Sequence, residues 1–244
     1  MKILSTRIEG FRNIDNDTVA FGAGITSLVS VNSYGKSNLM NAISFAADFI
    51  KADPEVKSQM MASVYGVPLN RKLDSKNFVA DMSFSMRMND KEYIVAYGFS
   101  FEWIRNNERQ TTGCKIVKEW LTSRTDEKHQ KPTKLIVRES GKSVYKSSET
   151  GRCSSMIMVE DNELIINKLL AFPDLYYKSI VENLNNIKVY VERDFDAARL
   201  YQKTPLIPKD TGVFEFSNMM DVPRIVYSLK EGHSDQYEIL VSTF

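Results

Sequence analysis

Ile25-Thr26-Ser27-Leu28-Val29-Ser30-Val31-Asn32-Ser33-Tyr34-Gly35-Lys36-Ser37-Asn38-Leu39-Met40-Asn41-Ala42-Ile43 decides how the fold is read. Residues 25–31 are rich in β-branched and aliphatic side chains and read as a short strand. From Ser37 the apolar residues recur at helical spacing, with Leu39, Ile43, Ala46 and Ile50 on one stripe, so 37–51 reads as an amphipathic helix ending before Pro54. The order is strand, loop, helix. The loop frame, Ser30-Val31-Asn32-Ser33-Tyr34-Gly35-Lys36-Ser37, fits G-x-x-x-x-G-K-[ST] everywhere except its first position, where Ser30 replaces glycine. In that pattern backbone N–H groups and a helix N-terminus surround phosphate oxygens. The lysine neutralises charge and the hydroxyl binds Mg²⁺.

The chain contains its own control. A second Gly-Lys-Ser stands at Gly141-Lys142-Ser143, where Val144-Tyr145 follows and no helix is expected. The tripeptide alone is therefore weak evidence, and residues 30–37 are singled out by the strand before them and the helix after. Ser30 and Ser33 each add a Cβ where a glycine would leave backbone freedom and room beside the phosphates. Such a loop either takes a permitted alternative or binds nucleotide more weakly. With Lys36 and Ser37 intact, binding is expected to survive.

Working outward, 2–9 and 18–21 read as two further strands, and the segment around Met60, Met61, Val64 and Tyr65 as a short helix closed by Pro68. The cleanest period-two pattern follows: Phe78, Ala80, Met82, Phe84, Met86 and Met88 alternate with more polar neighbours. Asn89-Asp90 turns the chain, and Tyr93, Val95, Tyr97, Phe99 and Phe101 repeat the alternation. Segments 114–121, 134–139 and 143–146 extend this hairpin into a meander. Its aromatic stripe is read as core rather than as a base-stacking platform. After about residue 155 the pattern turns helical: a run from Asp161 through Phe172, then 174–186, 220–231 and 234–244, with 187–191 as a short strand.

Composition narrows the function classes. The 244 residues are 43% hydrophobic, enough for a sizeable core, and 32 Lys+Arg against 31 Asp+Glu give no overall positive field for nucleic acid. Any DNA contact must come from a local patch, for which Arg124, Lys128, Lys131, Lys134 and Arg138 are candidates; a solvated charged loop is the plainer reading. Early charges rule out a signal-peptide core, and no apolar run is long enough to span a bilayer, so a cytoplasmic protein without a membrane partner is expected. Cys114 and Cys153 lack metal-ligand spacing and read as ordinary thiols. Asn16-Asp17-Thr18 reads as a chance sequon.

Met1-Lys2-Ile3-Leu4-Ser5, Gly10-Phe11-Arg12-Asn13-Ile14, Leu28-Val29 and Asn32 through Ile43 together resemble the opening of ABC-type ATPases related to RecF, SMC and OLD proteins, especially bacterial AAA-family ATPases of defence systems. Glu92-Tyr93 to Tyr97-Gly98-Phe99 and Lys118-Glu119-Trp120-Leu121 resemble strand phrases of the same group, so the likeness covers residues 1–121. It implies an α/β (α+β) head, with a P-loop lobe and antiparallel meander over 1–150 and a helical lobe over 151–244. The last helix shows no stop signal and is expected to continue beyond Phe244. The resemblance further implies ATP and Mg²⁺ as cofactors, with Arg12, Asn32, Ser33, Tyr34, Gly35, Lys36, Ser37 and Asn38 at the nucleotide and Ser37 on the metal. It also implies a homo-oligomer acting on an effector protein or nuclease.

The departures bear on turnover. The group uses four apolar residues followed by Asp-Glu, a signature segment and a switch histidine; Val189-Tyr190-Val191-Glu192-Arg193-Asp194 comes nearest to the first, and His233 has no partner motif. No catalytic residue is therefore assigned, and the chain is expected to bind ATP but hydrolyse it poorly unless those elements follow. Three readings stand: an ATPase head controlling an effector, a binding or oligomerisation module without turnover, and a different P-loop enzyme. The last lacks a set of nucleophile-positioning residues.

Overall fold

The computed structural model describes residues 1–22, 24, 26–29, 35–62, 77–88, 91–107, 111–125, 130–189 and 222–243. The chain divides into two compact units, Met1–Lys188 and Val189–Phe244. In the first, β1 (Lys2–Phe11) and β2 (Ile14–Ala20) form a hairpin, followed by α1 (Lys36–Lys51) and α2 (Pro54–Ala62). Then come β3 (Phe78–Met88), β4 (Lys91–Arg105), β5 (Thr111–Thr125), β6 (Thr133–Glu139), β7 (Lys142–Tyr145) and β8 (Ser155–Met156), with α3 (Ile165–Leu169) and α4 (Lys178–Asn185) last. Among the described residues, all eight strands join one sheet in the order β2-β1-β3-β4-β5-β6-β7-β8, and every pairing is antiparallel. The fold class is thus mixed α/β, with the meander β3 to β8 placed beside the first hairpin.

Alternation assigns the two faces. Phe78, Ala80, Met82, Phe84 and Met86 of β3 are all buried, and register places Ala80 opposite Phe99 and Met82 opposite Tyr97. Against this face lies α1, whose Leu39, Ala42, Ile43, Ala46, Ala47, Phe49 and Ile50 recur at helical spacing and are buried. Phe49 stacks on Phe99 with ring centroids 4.8 Å apart, Phe45 meets Phe78 edge-on at 5.3 Å, and Phe78 stacks on Phe101 at 4.9 Å. The aromatic stripe is therefore core. A 680 Å³ concavity on the sheet is lined in part by Arg7, Glu9, Val79, Lys118 and Trp120, residues of the face away from α1.

One expected strand does not form. Residues 26–29 of the 25–31 segment carry no strand, and the Val29 side chain is 91% exposed; 25, 30 and 31 lie outside the described residues. β-branched side chains tolerate extended backbone, but a strand exists only where a neighbour takes up its N–H and C=O groups, and residues 26–29 pair with none of the described strands. Likewise 187–189 is not a strand, while 190 and 191 lie outside the described residues. The second unit contains α5 (Val222–Gly232) and α6 (Ser234–Thr243), joined at His233, whose N–H donates to Leu229 O at 2.8 Å.

Candidate functional site

Helix α1 begins where the motif places it. Gly35 is its N-cap, with φ 97° and ψ 9°, and among the described residues no side chain caps the helix. That left-handed conformation suits glycine, and a Cβ there would also come within 3.0 Å of Asn13 Nδ2. The Gly35 carbonyl accepts the first helical bond, from Leu39 N–H at 2.9 Å. The N–H groups of the first turn have no intrahelical acceptor, and the helix dipole adds positive potential there. An uncapped N-terminus of this kind is suited to oxyanions.

The turn between β1 and β2 is fastened to this helix end. Arg12 Nη1 donates to Asn38 Oδ1 at 2.9 Å, and Asn38 Nδ2 donates to Asn13 Oδ1 at 2.6 Å. Arg12 also lies over the Phe11 ring at 5.4 Å, and Phe11 packs against Phe45 of α1. Phe11 and Ile14 are paired across the turn, so Arg12 and Asn13 form a two-residue loop in which Arg12 adopts φ 53°. A non-glycine residue held there is costly and persists only where its surroundings fix it. Arg12, Gly35, Lys36, Ser37 and Asn38 are thus brought together, with Ser37 exposed and Lys36 half-buried. Asn32, Ser33 and Tyr34 lie outside the described residues. Asn13 belongs with the set, although no spacing in the sequence marks it.

Glu119 forms a second polar cluster. Its buried carboxylate accepts from Ile165 N–H at 2.6 Å, Ile166 N–H at 3.0 Å and Tyr97 Oη at 3.1 Å. Burial pushes its pKa up to about 7, partly opposed by those three donors and by Arg138. Lys57, buried beside the Phe49 ring, is pushed down to about 8 by burial and donates to Ala52 O and to Asn167 Oδ1. Asn167 in turn donates to Ile50 O at the C-terminal end of α1. A shifted carboxyl in a cluster can mark an active site. Here sixteen helical residues, roughly 24 Å at 1.5 Å per residue, separate it from Gly35. Glu119 fastens α3 to the sheet, while Lys57 and Asn167 tie α3 to the far end of α1, the end opposite Gly35.

Two sequence readings change. Arg138 leaves the basic patch: it is 8% exposed and donates to Glu163 O at 2.7 Å and Glu160 O at 3.1 Å. Lys128 lies outside the described residues. The apolar-then-acidic run nearest the expected pattern is Met156-Ile157-Met158-Val159-Glu160-Asp161, not 189–194, whose positions 190–194 lie outside the described residues. It starts in β8 at the sheet edge, and its acidic end turns back toward β5 and β6, where Asp161 O accepts from Ile116 N–H at 2.7 Å and Glu160 O from Arg138 Nη2 at 3.1 Å. On the outer face, Arg7 and Lys118 are paired with Glu9 and Glu139 at 3.5 and 2.8 Å, and Lys134 also lines the concavity. Cys114 and Cys153 are free, and burial raises both thiols. No described helix is long and apolar enough to cross a membrane.

Comparison with known proteins adds a family. The family model described as an AAA domain matches residues 5–203. No curated protein matches the chain. Among solved structures, one from work on the structural biochemistry of ATP-driven dimerization and DNA stimulated activation of SMC ATPases is similar at 17% identity. It covers 52% of this chain and 73% of that one, with a TM-score of 0.29.

Proposed function

Because the chain belongs to the AAA domain family, we propose that it is the ATP-binding head of an ATPase of the RecF, SMC and OLD-like group. The observation that carries this reading is the uncapped, glycine-initiated N-terminus of α1 with Arg12 and Asn13 fastened beside it. In it the N–H groups following Gly35 bind phosphate oxygens and Lys36 neutralises their charge. Arg12, oriented by Asn38, faces the nucleotide with its remaining N–H donors. Asn32, Ser33 and Tyr34 complete the loop. The exposed Ser37 hydroxyl is the Mg²⁺ ligand, and the ion's part is to neutralise charge between the phosphates. Nucleotide-gated self-association then controls an effector or nuclease in DNA transactions or anti-phage defence, a role that rests on the resemblance of residues 1–121.

Replacing Lys36 with alanine tests the grip. A folded variant, checked by circular dichroism, is expected to lose retention of a labelled ATP analogue; unchanged retention would remove the assignment.

A second reading, a nucleotide-binding module without turnover, is favoured by Ser30 at the head of the loop and by the distance of Glu119 from Gly35. Binding and turnover measured on this chain and on any longer natural polypeptide containing it separate the two. Turnover confined to the longer form supports the ATPase head, and binding without turnover in both supports the module.

A further inference from the structure

The Asn38 side chain ties the first turn of α1 to the turn between β1 and β2, and its amide has two unlike ends. Its Oδ1 accepts from Arg12 Nη1 at 2.9 Å, and its Nδ2 donates to Asn13 Oδ1 at 2.6 Å. A guanidinium can only donate, so the oxygen end alone satisfies it; turned over, the amide would set its NH₂ against the guanidinium, donor facing donor. Which way the amide lies therefore depends on what receives its NH₂. Among the described residues that acceptor is Asn13 Oδ1. Asn13 in turn finds room because residue 35 is glycine: a Cβ there would come within 3.0 Å of Asn13 Nδ2 and 3.2 Å of its Oδ1. The turn itself does not depend on Asn13. Phe11 and Ile14 pair across it and are 1% and 3% exposed, whereas Asn13 is exposed, where substitutions usually change stability little.

We propose that Asn13 is a positioning residue for the nucleotide: it fixes the Asn38 amide with its oxygen toward Arg12, and so holds the guanidinium in place before a phosphate arrives. The inference rests on the reading of residues 35–38 as a phosphate grip. Asn13 acts through Asn38 and Arg12. Its contribution is preorganisation, because an arginine already ordered in the free protein loses less side-chain freedom on binding than one that must be immobilised by the ligand. The Phe11 ring, 5.4 Å from the guanidinium carbon, restrains Arg12 from one side, and Asn38 restrains it from its polar end. Without Asn13 the Asn38 amide has no acceptor to choose its orientation, and the polar restraint on Arg12 is lost.

The test is a set of dissociation constants for a labelled ATP analogue with Mg²⁺, measured by equilibrium dialysis on the whole chain, with folding checked by circular dichroism. Asn13→Ala is expected to weaken binding by about three- to tenfold, no more than Arg12→Ala does, and the double variant to bind no more weakly than Arg12→Ala alone. A second background bypasses the relay. In Asn38→Asp the carboxylate accepts at both ends, so Arg12 is met whichever way it turns, and removing Asn13 there should change affinity by less than about twofold. If Asn13→Ala does not fold, Asn13→Ser, whose hydroxyl is too short to reach Asn38, takes its place in the same comparisons. Wild-type affinity in Asn13→Ala overturns the proposal while a loss in Lys36→Ala leaves the phosphate grip standing. A loss that adds to that of Arg12→Ala, or that persists in Asn38→Asp, also overturns it, since a purely structural role of the turn would act in every background. Unchanged binding in Lys36→Ala removes the grip itself, and this inference with it.

Discussion

Gly35-Lys36-Ser37 and Gly141-Lys142-Ser143 share three residues and a left-handed glycine, at φ 97° and 76°, but the chain uses them differently. At Gly35 a helix begins, and the amides that follow have no intrahelical acceptor. At Gly141 a hairpin turns: Ser140 and Gly141 are both left-handed, Glu139 pairs with Lys142, and Arg138 with Ser143, so the tripeptide enters the β6–β7 ladder. A Cβ at Gly35 would meet Asn13, whereas at Gly141 it would meet nothing within 4 Å. The proposed phosphate grip thus depends on where the donors point and on the element they open. The letters G, K and S do not supply that.

Substitution can break this comparison. The largest expected difference is between the lysines: Lys36→Ala abolishes retention of an ATP analogue while Lys142→Ala leaves it unchanged, read by equilibrium dialysis on folded proteins. Equal losses would mean that the surroundings of Gly35 confer nothing. Next comes Arg12→Ala, expected to weaken ATP by about tenfold, the ~1.4 kcal/mol scale of one charge-assisted contact, with little change in melting temperature.

The scaffold should separate from the grip in a pH series. Glu119 has a folded pKa of about 7 against an ordinary 4.5, so the native state holds a proton that the unfolded chain has released, and stability falls as pH rises from about 4.5 to 7. Lys57, depressed to about 8, acts in a higher window, where stability rises with pH between about 8 and 10.5. Glu119→Gln is expected to lower stability, because an amide NH₂ cannot accept from Ile165 or Ile166 N–H, yet to flatten the slope between pH 4.5 and 7 in urea titrations. ATP affinity at neutral pH should hardly move. A slope that survives the substitution would assign it to another group. The smallest effect belongs to Gly141→Ala: a left-handed non-glycine costs ~1 kcal/mol, a fall in melting temperature of about 2–4 °C, with ATP retention unaltered.

Where local pattern and tertiary need agree, the sequence was legible. Alternation in 78–101 gave the hairpin and its buried face, and the stripe from Leu39 to Ile50 gave α1, because burial on one face imposes both periods. What depended on partners distant in sequence was not legible. Residues 25–31 have strand-forming side chains, but over 26–29 they pair with none of the described strands. Arg138 looked like surface charge because its acceptors, the carbonyls of Glu160 and Glu163, lie more than twenty residues away. Asn13 gave no signal, since one amide in a turn has no period, and its value comes from Asn38 brought alongside by the fold. Glu119 is similar: a carboxylate on the inward face of a strand violates the pattern, and only the amides of α3 explain it.

The central claim concerns one stretch of backbone amides. An amide-resolved NMR titration of the whole chain with ATP and Mg²⁺ reads those amides individually. The account predicts the largest shifts at Gly35, Lys36, Ser37 and Asn38, with Arg12 following and Gly141 to Ser143 unmoved; saturable binding that leaves 35–38 in place, or shifts 141–143 equally, would contradict it.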